Sequence, residues 1–140
     1  MFGKAMNRIL AGVVLLLAGC ISHIEVPESE LLPTLSTDPK WAPFSEYISG
    51  ATRKVNSRWY RLLSESRVYP PAGSSVIVVF VMNAQGQIAR IQDVKNRSSD
   101  GGMKACVSAI TSAAPYGLWT EEMKAVLGAE QELTFTFTYQ

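Results

Sequence analysis

The sequence predicts an α+β fold: a two-layer sandwich with two helices on one face of a three-stranded antiparallel sheet. Three observations carry this expectation. Phe44, Ile48, Ala51, Val55, Trp59 and Leu62 recur at three- and four-residue spacing, the period of a helix with one apolar face. Residues 76–81 form an unbroken β-branched and aromatic run, followed by the turn-forming Asn83-Ala84-Gln85-Gly86. Near the end of the chain Leu133, Phe135, Phe137 and Tyr139 alternate with Thr134, Thr136 and Thr138, which gives one buried and one polar face.

The elements follow in order. The first helix is expected over residues 43–66 and must stop before Pro70 and Pro71, which cannot continue it. A strand over 75–82, apolar on both faces, belongs in the middle of a sheet, and Gly86 supplies the positive φ of the turn after it. The returning strand, 87–95, carries Ile88, Ile91 and Val94, which break a strict period of two. A bulge near Ala89 or Arg90 would reconcile them. Ser98, Ser99 and Asp100 offer caps for a second helix, whose apolar stripe is Met103, Cys106, Val107, Ile110 and Ala114 and which ends at Pro115. Residues 121–127 suit a short helical turn ended by Gly128. The order is thus α-β-β-α-β, the sheet order second-first-third (2-1-3), and the last strand lies on an edge. An edge of this kind either accepts a partner strand or is protected from one.

The start of the chain has a different character. Lys4 and Arg8 precede a short uncharged apolar run ending in Leu17-Ala18-Gly19-Cys20, a pattern expected of a cleaved signal peptide. The run is too short for a membrane span, which needs roughly 20 apolar residues. The tetrapeptide resembles the lipobox of bacterial lipoproteins, which implies lipidation of Cys20 after removal of residues 1–19. Two or three acyl chains hold a protein stably on a membrane. Residues 20–41 are expected to be the lipidated cysteine and a flexible tether, rich in proline and acidic side chains, and 42–140 a single domain. Residues 21–40 would span at most ~70 Å extended and nearer ~25 Å as a coil.

Removing residues 1–19 takes Lys4 and Arg8 from the thirteen basic residues, leaving eleven against twelve acidic. That balance gives no reason to expect a nucleic-acid partner. With Cys20 acylated, Cys106 has no partner within the chain, and its place on the apolar stripe makes it a core residue. Lys54, Arg58 and Arg61 share one face of the first helix, which is read as a solvated surface in preference to a partner-binding patch.

Catalysis is not expected. The single histidine, His23, lies in the tether and can activate none of the serines at 98, 99, 108 and 112. Glu121 and Glu122 are adjacent and diverge on a helix. No cysteine–histidine spacing suits a metal, and no cofactor is implied.

Trp59, Tyr69-Pro70, Gly73 leading into Val76-Ile77-Val78-Val79-Phe80, the turn at Gly86 with Ile88, Ser98-Ser99-Asp100-Gly101, Ala109-Ile110, Ala113-Ala114-Pro115-Tyr116 and the terminal Leu133-Thr134-Phe135-Thr136-Phe137-Thr138-Tyr139 form an ordered set. Over residues 44–139 this set resembles the C-terminal domain of the TonB and TolA proteins. The resemblance implies a non-catalytic domain that binds envelope proteins, with an extended peptide accepted along the last strand. The chain departs from those proteins at its start, where a lipid and a short tether replace an inner-membrane helix and a long linker. That argues against direct energy transduction. Under the sorting pattern of enteric lipoproteins, Ile21 rather than Asp after the cysteine implies the outer membrane, with the domain in the periplasm and inner-membrane anchoring as the alternative. The expected partners are the membrane, through the lipid, and envelope proteins or their extended segments, with a homodimer through the edge strand as another use of residues 133–139. A structural or assembly lipoprotein, or an accessory of a TonB/Tol-type transport system, is the alternative.

Overall fold

The computed structural model describes residues 33–140; the signal segment, Cys20 and most of the expected tether lie outside the described residues. The order is β1 (Thr34–Ser36), a 3-10 helix (Pro39–Phe44), α1 (Ser45–Ser66), β2 (Ser75–Asn83), β3 (Ile88–Arg97), α2 (Asp100–Ala113), α3 (Glu121–Leu127) and β4 (Glu130–Thr138). The strands form one antiparallel sheet in the order β1-β4-β2-β3. The α+β class holds, and β2 lies between β3 and β4 as its two apolar faces require. Among the described residues the sheet nonetheless has four strands rather than three, and there are three α-helices rather than two. The addition at the front is β1. It is three residues long with one apolar side chain, Leu35, too short to show any period. Residues 34–36 and 39–41, expected within the tether, are here part of β1 and of the 3-10 helix.

Local sequence explains where the elements stop. Arg67 closes α1 in the left-handed conformation (φ 54°), and its N–H reaches the carbonyls of Leu63 and Ser64. Ser99 caps α2 by accepting from Gly102 N at 2.9 Å. Thr120 caps α3 in the same way, and Gly128 ends it with a positive φ of 82°. Gly86 is held in the β2–β3 turn at φ 74°, where a Cβ would lie 2.3 Å from the Gly117 carbonyl oxygen. The turn fits closely against the loop after α2: Tyr116 N–H donates to Gly86 O and Trp119 N–H to Ala84 O.

The irregular spacing on β3 has a simple cause. The register steps from Ile91 opposite Phe80 to Asp93 opposite Val79, and from Ile88 opposite Met82 to Arg90 opposite Val81. Gln92 and Ala89 are therefore extra residues, one between each pair of apolar positions. Each insertion turns a spacing of two into three, so Ile88, Ile91 and Val94 all lie against the core. The bulge at Ala89 matches the expectation, and that at Gln92 adds a second.

One core fills the space between the sheet and the helices. It takes Val55 and Trp59 from α1, Cys106, Ala109 and Ile110 from α2, and Val76, Val78, Phe80, Leu133, Phe135 and Phe137 from the central strands. Trp41 and Trp119 extend it, their rings edge-on with centroids 5.5 Å apart. Among the described residues no helix packs on the opposite sheet face. There Arg90 reaches over β2 to pair with Glu130 at 3.2 Å, and Gln92 reaches Glu132 at 3.4 Å. Val81 lies between these strands and is only 4% exposed.

Candidate partner-binding edge

β4 alternates as its sequence requires: Leu133, Phe135 and Phe137 are buried, and Thr134 and Thr136 half-buried on the other face. Its inner flank pairs with all of β2, from Ser75 opposite Thr138 to Asn83 opposite Glu130. Its outer flank is not free. Thr34 lies opposite Thr136, Leu35 opposite Phe135 and Ser36 opposite Thr134. The expected open edge over residues 133–139 is thus corrected: its middle is occupied by the chain's own β1. Pro33 is buried just before the pairing begins, and Leu35 packs half-buried against the core.

Past Ser36 the chain turns away. Asp38 accepts from Lys40 N at 2.9 Å and opens the 3-10 helix, which drives Trp41 into the core at 1% exposure. The departure leaves a shallow hollow of about 340 Å³ beside the first half of β4, lined by Ser36, Thr37, Asp38, Gln131, Glu132 and Thr134. The three paired residues and this hollow together form a strip along β4 that is half filled by this chain.

Tyr139 lies on the buried face, as its place in the alternation requires, and its side chain joins the end of β4 to both long helices. Its hydroxyl donates to Gly102 O at 2.9 Å and accepts from Trp59 Nε1 at 3.1 Å. Cys106 Sγ lies 3.2 Å away, and with the tyrosine proton committed to Gly102 the thiol is the donor. Burial pushes the Cys106 thiol up to about 12, and burial likewise raises Tyr139. Such a thiol stays protonated and unreactive, in keeping with the core role read from the sequence.

Two of the three basic residues singled out on α1, Lys54 and Arg58, also make bonds within the fold. Lys54 Nζ donates to Pro115 O at 2.8 Å and Arg58 to Ser112 O at 3.3 Å, which brings two cations to the C-terminal end of α2, where the helix dipole favours them. Lys54 also stands 5.7 Å from the Tyr116 ring centre. With Arg61, Arg53, Tyr47 and Tyr116 they line an open groove of about 680 Å³.

Sequence reasoning missed Trp41, Trp119 and Tyr47. Tyr47 donates to Gly117 O at 2.7 Å and so ties α1 to the loop that holds the Gly86 turn. The one available signal was a large aromatic, Trp41, in an otherwise polar stretch. Among the described residues no group of three histidine, cysteine, aspartate or glutamate side chains is placed to share a metal ion, and no helix is long and apolar enough to cross a membrane. No family model, curated protein or solved structure matches the chain.

Proposed function

We propose that this chain is a lipid-anchored, non-catalytic protein-binding module of the bacterial envelope, held on the outer membrane by Cys20. Its partner is an extended segment that adds to the outer flank of β4 in place of β1. One observation carries the reading: β1 lies on that flank as an antiparallel strand of three residues, with Leu35 opposite Phe135. The flank therefore accommodates an extended chain with one apolar side chain at its centre. Each net backbone hydrogen bond contributes about 0.5–1.5 kcal/mol, so a strand that also pairs beside Gln131 and Glu132 would outcompete so short an occupant. The likeness of residues 44–139 to TonB- and TolA-type domains supports the same mode of binding.

Photo-crosslinking in cells from position 136 tests this, in the native chain and in a Leu35→Pro variant that weakens β1. Crosslinks to an envelope protein that increase in the variant support the reading. Crosslinks confined to the chain's own arm in both proteins remove it. A second reading, a structural lipoprotein packed on a fixed scaffold, draws on the groove along α1. It predicts crosslinks from Arg61 rather than from Thr136.

A further inference from the structure

The end of the sheet at which the arm enters carries an exposed loop that neither the strand edge nor the core uses. Because β1 runs antiparallel to β4 with Thr34 opposite Thr136, Pro33 falls beside the end of β4 that holds Thr138, itself opposite Ser75. The loop before Ser75, residues 68–73, is fastened to that same end: Gly73 N–H donates to Tyr139 O at 2.7 Å and Tyr139 N–H to Ser74 O at 2.9 Å.

This loop reads Val68-Tyr69-Pro70-Pro71-Ala72-Gly73, six residues without a charge. Tyr69 is 84% exposed, more than Tyr60, Leu118 or Val126, and Pro71, Ala72 and Gly73 are exposed with it. The loop is also pre-shaped, because Ser74 Oγ donates to Pro71 O at 2.6 Å and the two prolines fix their own φ. Little conformational freedom is then lost on contact. Arg67 precedes it in sequence and Arg97 lies opposite Ser75 across the sheet, both exposed. Behind it is an apolar hollow of about 420 Å³ lined by Tyr60, Leu63, Val68, Tyr69 and Pro70.

We infer that this loop rests on the bilayer that holds Cys20, so that the domain is fixed to the membrane at two points, the lipid and Tyr69. The inference rests on the lipid-anchor reading above. Tyrosine rings prefer the headgroup level of a membrane, and flanking guanidiniums pair with lipid phosphates in bidentate fashion. The length of chain outside the described residues fits the arrangement. From Cys20 to Pro33 the arm spans at most ~45 Å, and it joins the fold at the loop's own end. The most exposed apolar residue elsewhere, Leu118, belongs to the far end, where Trp119 N–H meets Ala84 O at the β2–β3 turn.

The test uses the acylated full-length mature protein in vesicles of phosphatidylethanolamine and phosphatidylglycerol. Tyr69→Cys and Leu118→Cys variants carry an environment-sensitive fluorophore; Cys106 is buried and does not compete for the label. The expected result is several-fold protection of the label at 69 from aqueous iodide, with quenching by nitroxide lipids, and neither effect at 118. Flotation with the vesicles is scored first. A protein that does not float overturns the anchor and with it the two-point arrangement. A floating protein whose two labels are equally accessible overturns the loop contact alone. Protection at 69 that requires a co-reconstituted envelope protein overturns the bilayer as the occupant in favour of a protein.

Discussion

The sheet has two edges, and the chain treats them differently. On one side β3 is ten residues long, carries Arg90, Asp93, Lys95 and Arg97, and is bent by extra residues at Ala89 and Gln92. Charge and bulges of this kind discourage a second chain from pairing. On the other side β4 carries only Glu130 and Glu132 at its start, shows no register shift, and is covered by three uncharged residues of the arm. One edge is closed by its own chemistry; the other is closed by a short occupant. A partner that replaces the occupant meets a strand with regular pairing, whereas a partner at β3 meets mismatched spacing and a charged edge.

Four measurements would break or sharpen that contrast. The largest effect is expected from Phe135→Ala, because Phe135 packs between β1 and β2 and stacks on Phe80 with centroids 5.8 Å apart. Urea unfolding should show a loss of about 3–5 kcal/mol; a loss below 1 kcal/mol would mean that β4 is not the strand that joins the two halves of the sheet. Next comes the clamp at the end of β4. The Cys106 thiol moves from an ordinary 9.0 to about 12, so between those values the unfolded chain has lost a proton that the folded chain keeps. The stabilisation is present in full below pH ~9 and falls as pH rises, by about 1.4 kcal/mol per unit from this group. Denaturation at pH 8, 9.5 and 11 should show that fall in the native chain and a shallower one in Cys106→Ala, in which the buried tyrosines alone remain.

The arm gives a smaller effect. Leu35→Ala removes a half-buried side chain and should lower stability by about 1 kcal/mol. Hydrogen exchange should then accelerate at the arm and the outer flank of β4 while β2 and β3 hold. Uniform acceleration through the sheet would show that β1 is an integral strand and not a separable occupant. The smallest change is expected on the open face. Arg90→Ala breaks the pair with Glu130, whose partners are about half exposed, and should lower stability by at most ~1 kcal/mol. That loss should shrink in 1 M salt, and persistence there would point to the cover over Val81 rather than to charge.

Much of the fold was legible because long elements repeat their period. α1 shows its apolar stripe over five turns, and β2 and β4 are built from residues that fit strands. What escaped was short or long-range. β1 has a single apolar residue between Thr34 and Ser36, and its pairing with residues 134–136 joins positions about a hundred apart in sequence. No local pattern reports such a contact. The candidate edge was legible as a strand but not as an occupied one, for the same reason. Tyr139 fitted the alternation of β4 and so was correctly placed on its apolar face, yet the bond to Gly102 that makes it a hinge between layers depends on tertiary structure alone. Lys54 and Arg58 looked like surface because the carbonyls they bond, Pro115 and Ser112, lie far along the chain at the end of α2 and just past it.

The position of β4 has a consequence for how the molecule is made. β4 lies between the arm and the rest of the sheet, and Tyr139, just past its end, supplies the hydroxyl that ties both long helices together. Until residues 130–139 have emerged, β1 has no neighbour, β2 has β3 alone, and Trp59 lacks the Tyr139 hydroxyl. The arm, the central strands and the two long helices are therefore joined only once residues 130–139 are in place, which makes β4 the strand that completes the fold.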